Sequence, residues 1–526
     1  MGASGESRRG RVRRVIRYVI GLTLALALAA CGGGSGGSGG KDTASSAPPP
    51  VPAPKADWKD CPLTGQPTRE CATLKVPIDA AKPGSGTLGL AVSRLPATDK
   101  RRRIGALVMD PGGPGLPGLY TTAALLPPQI RALYDVVGFD RRGSGKSTPV
   151  DCGEPGGAID KLGSEGEFAD LEKADPAAVE RDAKAYVTKC RAKYGELLAH
   201  LGTADTVSDL ESMRLALGEE KLSLLMVSYG TVVAQDYLRT HPDRVRAAVL
   251  DGTVDTSESG VLAALGSDAT EDEASGTAGK TEEQKKEAQI RAQTAGFREW
   301  CTASGPAECA VAPKPEDALA TVSGRDRDTL AKAADAVMVV PSDWPGFSRA
   351  LDKAADAAPG DRAAYADLRT YADKGFPKDV AAALKHPGTP AAFELGVKCA
   401  DFAWPKTTAG LLKEVAEEAK AKGAEGSAAY YAAFYSPCAV WPRGGPTLGE
   451  IRAGKAPRPL ILNAEKDVRT TLAEAEKTAK TLPASLLKVG GQVHGLAQSG
   501  NPCVNTAVVK TLVDGATPKD GTCPEN

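Results

Sequence analysis

Leu222-Ser223-Leu224-Leu225-Met226-Val227-Ser228-Tyr229-Gly230-Thr231 is the stretch whose local structure decides the fold. An apolar run ends on a serine, a Ser-Tyr-Gly turn follows, and residues 231–240 have helical character. A strand that breaks into a helix at a serine has the construction of a nucleophile elbow, in which a strained turn lifts the hydroxyl out at the sheet edge. Gly230, two positions after the serine, leaves room for the helix to pass. The position two before it, usually glycine, is Met226, a departure from the pattern. The competing reading is a buried serine that merely closes a strand.

Further runs of the same kind lie on both sides. Residues 88–95 read as a strand. Residues 104–109 form an apolar run before Asp110-Pro111-Gly112-Gly113-Pro114-Gly115, and residues 135–139 another before Asp140-Arg141-Arg142-Gly143. Residues 245–250 form a run of the same texture. Continuous apolar strands separated by helices predict a parallel sheet covered on both faces. From 256 to 445 strand-like runs vanish, and Ala, Lys and Glu dominate pieces such as 281–294, 326–337 and 411–422; residues 266–281 read as a polar loop. Sheet texture returns at 459–463 and 485–489, with a helix at 472–482 between them. The expectation is an α/β fold with a mostly parallel central sheet, split into residues 58–255 and 446–526 by an inserted helical cap at 256–445.

A serine hydroxyl needs a base to become nucleophilic. In this architecture the chain order is serine, acid, histidine. Of the four histidines, His200 precedes Ser228, His241 ends a helix, and His386 lies inside the cap. Only His494 follows the last strand, in the glycine-flanked Gly490-Gly491-Gln492-Val493-His494-Gly495. The acid is expected after the preceding strand, in Asn463-Ala464-Glu465-Lys466-Asp467; Asp467 is the choice and Glu465 the fallback. The oxyanion needs two backbone donors. Tyr229 and Gly113 are the candidates, since Pro114 has no N–H to give.

Two other motifs mislead. Gly143-Ser144-Gly145-Lys146-Ser147-Thr148 suggests a phosphate loop, but position 140, where that motif needs glycine, is Asp. Gly113-Pro114-Gly115-Leu116-Pro117-Gly118 matches a dinucleotide fingerprint literally, yet its two prolines remove donors a pyrophosphate would need.

Composition closes other routes. With 65 Lys and Arg against 66 Asp and Glu in 526 residues, bulk positive charge cannot drive nucleic-acid binding. Aromatics at 5% are too few for a base-stacking platform. Four histidines and no Cys-x-x-Cys pair argue against a metal site, and no cofactor is expected. Six arginines between Arg8 and Arg17, an apolar run from Val19 to Ala30, and Leu28-Ala29-Ala30-Cys31-Gly32 read as a lipoprotein signal peptide over 1–30, with Cys31 lipidated. Residues 31–57, Gly/Ser- then Pro/Ala-rich, read as a disordered stalk. Beyond residue 30 the chain holds 59 basic and 65 acidic residues. The ten remaining cysteines suggest disulfides in an exported chain. Local closure favours Cys61–Cys71, Cys152–Cys190, Cys301–Cys309, Cys399–Cys438 and Cys503–Cys523.

Taken jointly, Asp110–Gly115, Val136-Val137-Gly138-Phe139-Asp140-Arg141-Arg142-Gly143, Val227-Ser228-Tyr229-Gly230-Thr231, His494-Gly495 and Ser499-Gly500-Asn501-Pro502-Cys503 resemble the tripeptidyl-aminopeptidase-like α/β-hydrolases. These are secreted or lipid-anchored actinobacterial serine peptidases related to proline iminopeptidases. The resemblance spans roughly residues 58–526 and is weakest over the cap. It implies Ser228, Asp467 and His494 as nucleophile, acid and base, and Thr470 in the turn after the acid. Met226, Asp110 for the more usual Asn, and Thr471 for Pro depart from the family pattern. The implied activity is an aminopeptidase of the cell envelope, held on the outer face of the membrane by its lipid, acting on peptide or protein substrates. An exopeptidase should offer a carboxylate to the substrate ammonium; Glu394 and Asp401 in the cap are candidates. The rivals are an esterase or lipase with the same three residues, and a non-catalytic lipoprotein that binds peptides.

Overall fold

The computed structural model describes residues 53–525 apart from 64–66, 121–125, 165–170, 262–286, 288–289, 291–293, 339–340, 359–360, 375–390, 423–424 and 446. The signal peptide, Cys31, most of the stalk and His386 lie outside the described residues, as do the whole 266–281 loop and most of the 281–294 helix.

Ten strands form one sheet: β1 (Lys59–Asp60), β2 (Glu70–Pro77), β3 (Thr87–Leu95), β4 (Gly105–Asp110), β5 (Tyr134–Phe139), β6 (Leu222–Val227), β7 (Val245–Asp251), β8 (Leu460–Ala464), β9 (Ser485–Val489) and β10 (Gly521–Cys523). Their spatial order is β1-β2-β3-β5-β4-β6-β7-β8-β9-β10. The strands from β5 to β10 pair in parallel, whereas β1, β2 and β3 join antiparallel. Every residue of β4 and β5 is buried, which is why these strands read as apolar runs apart from Asp110 and Asp135. β2 instead alternates, with Ala72, Leu74 and Val76 inward and Thr73 and Lys75 outward, because its sheet face is only half covered.

The helices used below are α1 (Pro176–Tyr194), α2 (Thr203–Leu217), α3 (Gly230–Thr240), α4 (Ala295–Ser304), α5 (Pro315–Met338), α6 (Trp344–Asp356), α7 (Ala366–Lys374), α8 (Ala391–Asp401), α9 (Thr408–Lys422), α10 (Glu425–Tyr435), α11 (Leu472–Thr481) and α12 (Pro502–Leu512). One face of the sheet shares a core with α1, α2 and α3. The other packs against α12 and the short helix Pro128–Leu133.

The segment between β7 and β8 holds α4 to α10 and divides in two. Helices α4 to α7 enclose a core of their own, built around Phe297, Trp344, Phe347 and Leu368. Helices α8 to α10 contribute Phe393, Leu395, Leu411 and Tyr435 to the core of the main sheet. Within α5 the backbone breaks at Asp326, whose carboxylate accepts the Thr329 N–H at 3.2 Å and starts a second helix. Five disulfides join Cys61 to Cys71, Cys152 to Cys190, Cys301 to Cys309, Cys399 to Cys438 and Cys503 to Cys523. Among the described residues, no helix is long and apolar enough to cross a membrane.

Candidate active site

The order β5-β4-β6 makes β4 the point where strand order reverses, and crevices at strand C-termini form at such points. Ser228 follows the C-terminal end of β6 there. Its φ is 53°, a left-handed conformation it shares with only Thr148 among the described non-glycine residues. Three bonds hold the turn. Ser228 N–H donates to the Asp251 carbonyl at 2.8 Å, and the Ser228 carbonyl accepts from Thr231 N–H at 2.8 Å and Thr231 Oγ1 at 2.7 Å. Gly230 has no room for a side chain, since a Cβ there would lie 2.8 Å from the Asp110 carbonyl oxygen. Met226, where the pattern wants glycine, points into the main core and is fully buried. Its bulk is absorbed by that core.

Asp467 and His494 meet at the ends of neighbouring strands. His494 Nδ1 stands 2.8 Å from Asp467 Oδ2. The Asp467 side chain is 1% exposed and that of His494 16%. Asp467 is fixed by its own turn: Oδ1 accepts from Arg469 N–H at 2.9 Å and Thr470 N–H at 3.1 Å, and Oδ2 from Thr470 Oγ1 at 3.0 Å. Thr470 Oγ1 also lies 3.3 Å from His494 Nδ1. Thr471 replaces the expected proline because it caps α11, accepting from Glu474 N–H while the Glu474 carboxylate accepts its own N–H at 2.5 Å. Glu465 is exposed and, among the described residues, pairs only through its backbone.

The histidine loop lies beside the elbow. A Cβ on Gly252, the residue after β7, would fall 3.0 Å from His494 Cε1, and one on Gly495 would sit 3.7 Å from Val227 Cγ1. The glycine-rich turn after β4 flanks the nucleophile on the other side, since a Cβ on Gly112 would fall 2.9 Å from Ser228 Cβ and 3.0 Å from Tyr229 N. The Gly112 N–H is taken by Asp110 Oδ1 at 2.8 Å. Those of Gly113 and Tyr229 have no partner among the described residues. Asp110 in place of Asn gives Arg141 a buried counter-ion, with Nε 2.8 Å from Oδ2. Arg141 Nη2 then donates to the Tyr229 carbonyl at 3.1 Å, and the guanidinium stacks over the Tyr229 ring. Sequence reasoning assigned no role to Arg141 or Asp251; for Asp251 the available signal was a charged residue closing an apolar strand that pairs beside the nucleophile's strand.

The structure places the two cap carboxylates differently. Asp401 is 2% exposed and accepts from Thr203 N–H at 2.7 Å, Thr203 Oγ1 at 2.7 Å and the Tyr229 hydroxyl at 2.8 Å. Burial pushes its carboxyl up to about 6. With three donors already in place it ties the cap to the elbow and has no face for a substrate ammonium. Glu394 keeps 27% of its side chain exposed, accepts from the Tyr435 hydroxyl at 2.9 Å and lies 3.4 Å from Lys398 Nζ.

The two misleading motifs have packing roles. Asp140 accepts from Lys146 N–H at 2.8 Å and Leu119 N–H at 3.0 Å, so the loop at 143–148 wraps an internal carboxylate. Gly118 lies against β5, where a Cβ would fall 2.3 Å from the Phe139 carbonyl oxygen. Among the described residues no cluster of His, Cys, Asp and Glu could hold a metal ion.

Comparison with known proteins agrees with this fold. The alpha/beta hydrolase fold family matches residues 105–284, and the TAP-like protein family matches residues 425–523. The tripeptidyl aminopeptidase of Streptomyces coelicolor is 28% identical over 498 residues, covering 89% of this chain and 85% of that protein. Serine protease Hip1 of Mycobacterium tuberculosis strain H37Rv is 38% identical over 199 residues, 37% of this chain and 38% of that protein. Carboxylesterase B of the same organism is 33% identical over 219 residues, 40% of this chain and 42% of that protein. The chain thus spans well under half the length of two of these three relatives. The chain has the α/β-hydrolase fold, and its C-terminal part is similar to the TAP-like proteins.

Proposed function

We propose that this chain is a serine hydrolase, and more specifically an aminopeptidase that releases short, tripeptide-like fragments from free N-termini through an acyl-enzyme. The carrying observation is the Asp467–His494 pair at 2.8 Å, set beside a serine held at φ 53°. His494 Nδ1–H donates to Asp467, which leaves Nε2 free to take a proton. Ser228 Oγ attacks the scissile carbonyl carbon as His494 accepts the hydroxyl proton. The carbonyl oxygen becomes an oxyanion facing the Tyr229 and Gly113 amides. Collapse expels the amine, which takes the proton from His494. A water molecule, deprotonated by the same imidazole, then releases the acyl group and restores Ser228. No step calls on a metal or organic cofactor.

The peptidase reading draws on the relatives named tripeptidyl aminopeptidase and serine protease. With Asp401 occupied, Glu394 is the remaining cap carboxylate for a substrate ammonium. A second reading, ester hydrolysis by the same residues, has the carboxylesterase relative in its favour. The envelope location rests on the sequence alone: a lipidated Cys31 and a stalk would hold the enzyme on the outer face of the membrane.

A panel of peptides with free and blocked N-termini, run beside chromogenic esters with Ser228→Ala as control, tests this. Cleavage confined to free N-termini supports the aminopeptidase, and ester turnover without peptide cleavage selects the second reading. Failure of a fluorophosphonate to label Ser228 overturns both and leaves a peptide-binding lipoprotein.

A further inference from the structure

β7 ends on a carboxylate that touches both halves of the catalytic arrangement. Asp251 is 1% exposed. Its backbone carbonyl accepts the Ser228 N–H at 2.8 Å, and its Oδ2 accepts the Ala497 N–H, three residues past His494, at 2.7 Å. Gly252, next in the chain, lies against the His494 ring. Asp251 Oδ1 is buried and has no hydrogen-bond partner among the described residues. A buried carboxylate oxygen left unpaired costs folding free energy, so its retention calls for an explanation.

We propose that Asp251 is a second acid of this site, a positioning residue whose carboxylate anchors the His494 loop to the nucleophile's strand and whose negative charge stabilises the imidazolium formed during turnover. The inference rests on the serine hydrolase reading. The anchoring follows from the Ala497 bond. The charge effect follows from who faces it. Asp467, on the turn after β8, and His494, on the loop after β9, are the titratable neighbours of Asp251 among the described residues. β6 pairs alongside with uncharged Met226 and Val227. Helix α3 packs on β7 but brings only uncharged residues from Gly230 to Gln235 near that end, and its Asp236 is paired with Arg239. Helix α12 carries Lys510 toward the opposite end, where Arg246 at the start of β7 meets the Val513 carbonyl. Burial pushes the Asp251 carboxyl up to about 6, so its charge is lost just as the solution becomes mildly acidic. An anion beside an imidazole favours the protonated ring. The Asp251 charge is therefore placed to act on the His494 ring.

Asp251→Asn keeps an oxygen for the Ala497 amide and removes the charge. In the full chain, kcat/KM on an accepted chromogenic substrate should fall about tenfold, and its acid limb should move about one pH unit lower. The Cε1–H resonance of His494, read by NMR and assigned with His494→Gln, should titrate at correspondingly lower pH. This readout does not depend on turnover, and fluorophosphonate labelling of Ser228 separately reports whether the hydrolase reading stands. An unchanged His494 titration in a folded Asp251→Asn chain overturns the proposal. Should that variant not fold, the unsubstituted protein decides: two inflections in the His494 curve between pH 4 and pH 8 support the linked acid, and a single inflection overturns it.

Discussion

The Tyr229 hydroxyl donates to Asp401 Oδ2 at 2.8 Å, so the residue next to the nucleophile is fastened at its far end to the cap helix α8. Tyr229 is also held at its carbonyl by Arg141 and over its ring by the same guanidinium. Its amide is one of the two assigned to the oxyanion. The cap and the catalytic centre therefore share a residue, and a change in the cap is transmitted through one side chain.

Tyr229→Phe keeps the ring and removes that tether. The Asp401 carboxylate loses one donor but keeps both from Thr203. We expect kcat to fall about tenfold with KM nearly unchanged, because the loosened amide serves the transition state rather than ground-state binding. Stability should drop by about 1.5–3 kcal/mol, the worth of a hydrogen bond to a charged group. Steady-state kinetics with a parallel thermal melt separates the two effects; a rise in KM at constant kcat would count against this role for Tyr229.

Asp401 also sets a pH dependence. Burial raises its carboxyl from 3.8 to about 6, and Asp251 is raised equally. Both groups hold a proton more tightly folded than unfolded. The folded state therefore binds more protons between about pH 4 and pH 6, and their contribution to stability falls as pH rises through that window. Asp401→Asn removes one of the two terms. The Thr203 and Tyr229 hydroxyls can rotate to accept from the new amide, so the variant should fold. The difference in unfolding free energy between variant and parent should change across pH 4–6 and level off above about pH 7, which denaturant titrations at stepped pH will show.

Much of this was legible in the sequence, for physical reasons that also explain the gaps. β6 and β9 fall on the expected 222–227 and 485–489, because strands buried along most of their length are mostly apolar; Ser223 in β6 and Ser485 and Lys488 in β9 are the exceptions. β2 was missed although Ala72, Leu74 and Val76 alternate with Thr73 and Lys75, a weaker signal than an unbroken run. The expected helix at 326–337 is the second half of α5, since Asp326 supplies both the break and the new cap. Ser228, Asp467 and His494 could be placed because chain order and strand ends constrain them. Asp401 could not be judged, because its partners Thr203 and Tyr229 lie about 200 and 170 residues away. Short-range patterning carries no information about such a contact.

The elbow should be a source of instability. Ser228 occupies a left-handed conformation that glycine adopts freely and serine does not. Ser228→Gly should abolish fluorophosphonate labelling and turnover while raising unfolding free energy by about 1 kcal/mol. Ser228→Ala, which keeps the Cβ and therefore the strain, should abolish activity without that gain. Equal stability of the two variants in urea would show that the turn is not strained.

Cys399 lies two residues before Asp401 on α8, and its disulfide to Cys438 closes a loop with a sequence separation of 39. The helices between them, α9 and α10, contribute to the main core, so the bond restrains a part of the cap that packs directly on the sheet. In the chain-entropy view a loop of this length is worth roughly 4 kcal/mol. The double variant Cys399→Ala/Cys438→Ala should lose a substantial part of that on denaturant unfolding. The Cys301–Cys309 bond lies in the separate core of α4 to α7, far in sequence from α8. Replacing that pair should leave kcat intact at 25 °C, whereas replacing Cys399 and Cys438 should lower kcat because Asp401 is no longer held against Tyr229. Comparing kcat for the two double variants at matched folded fraction tests the coupling, and equal kcat would break the link between α8 and the elbow.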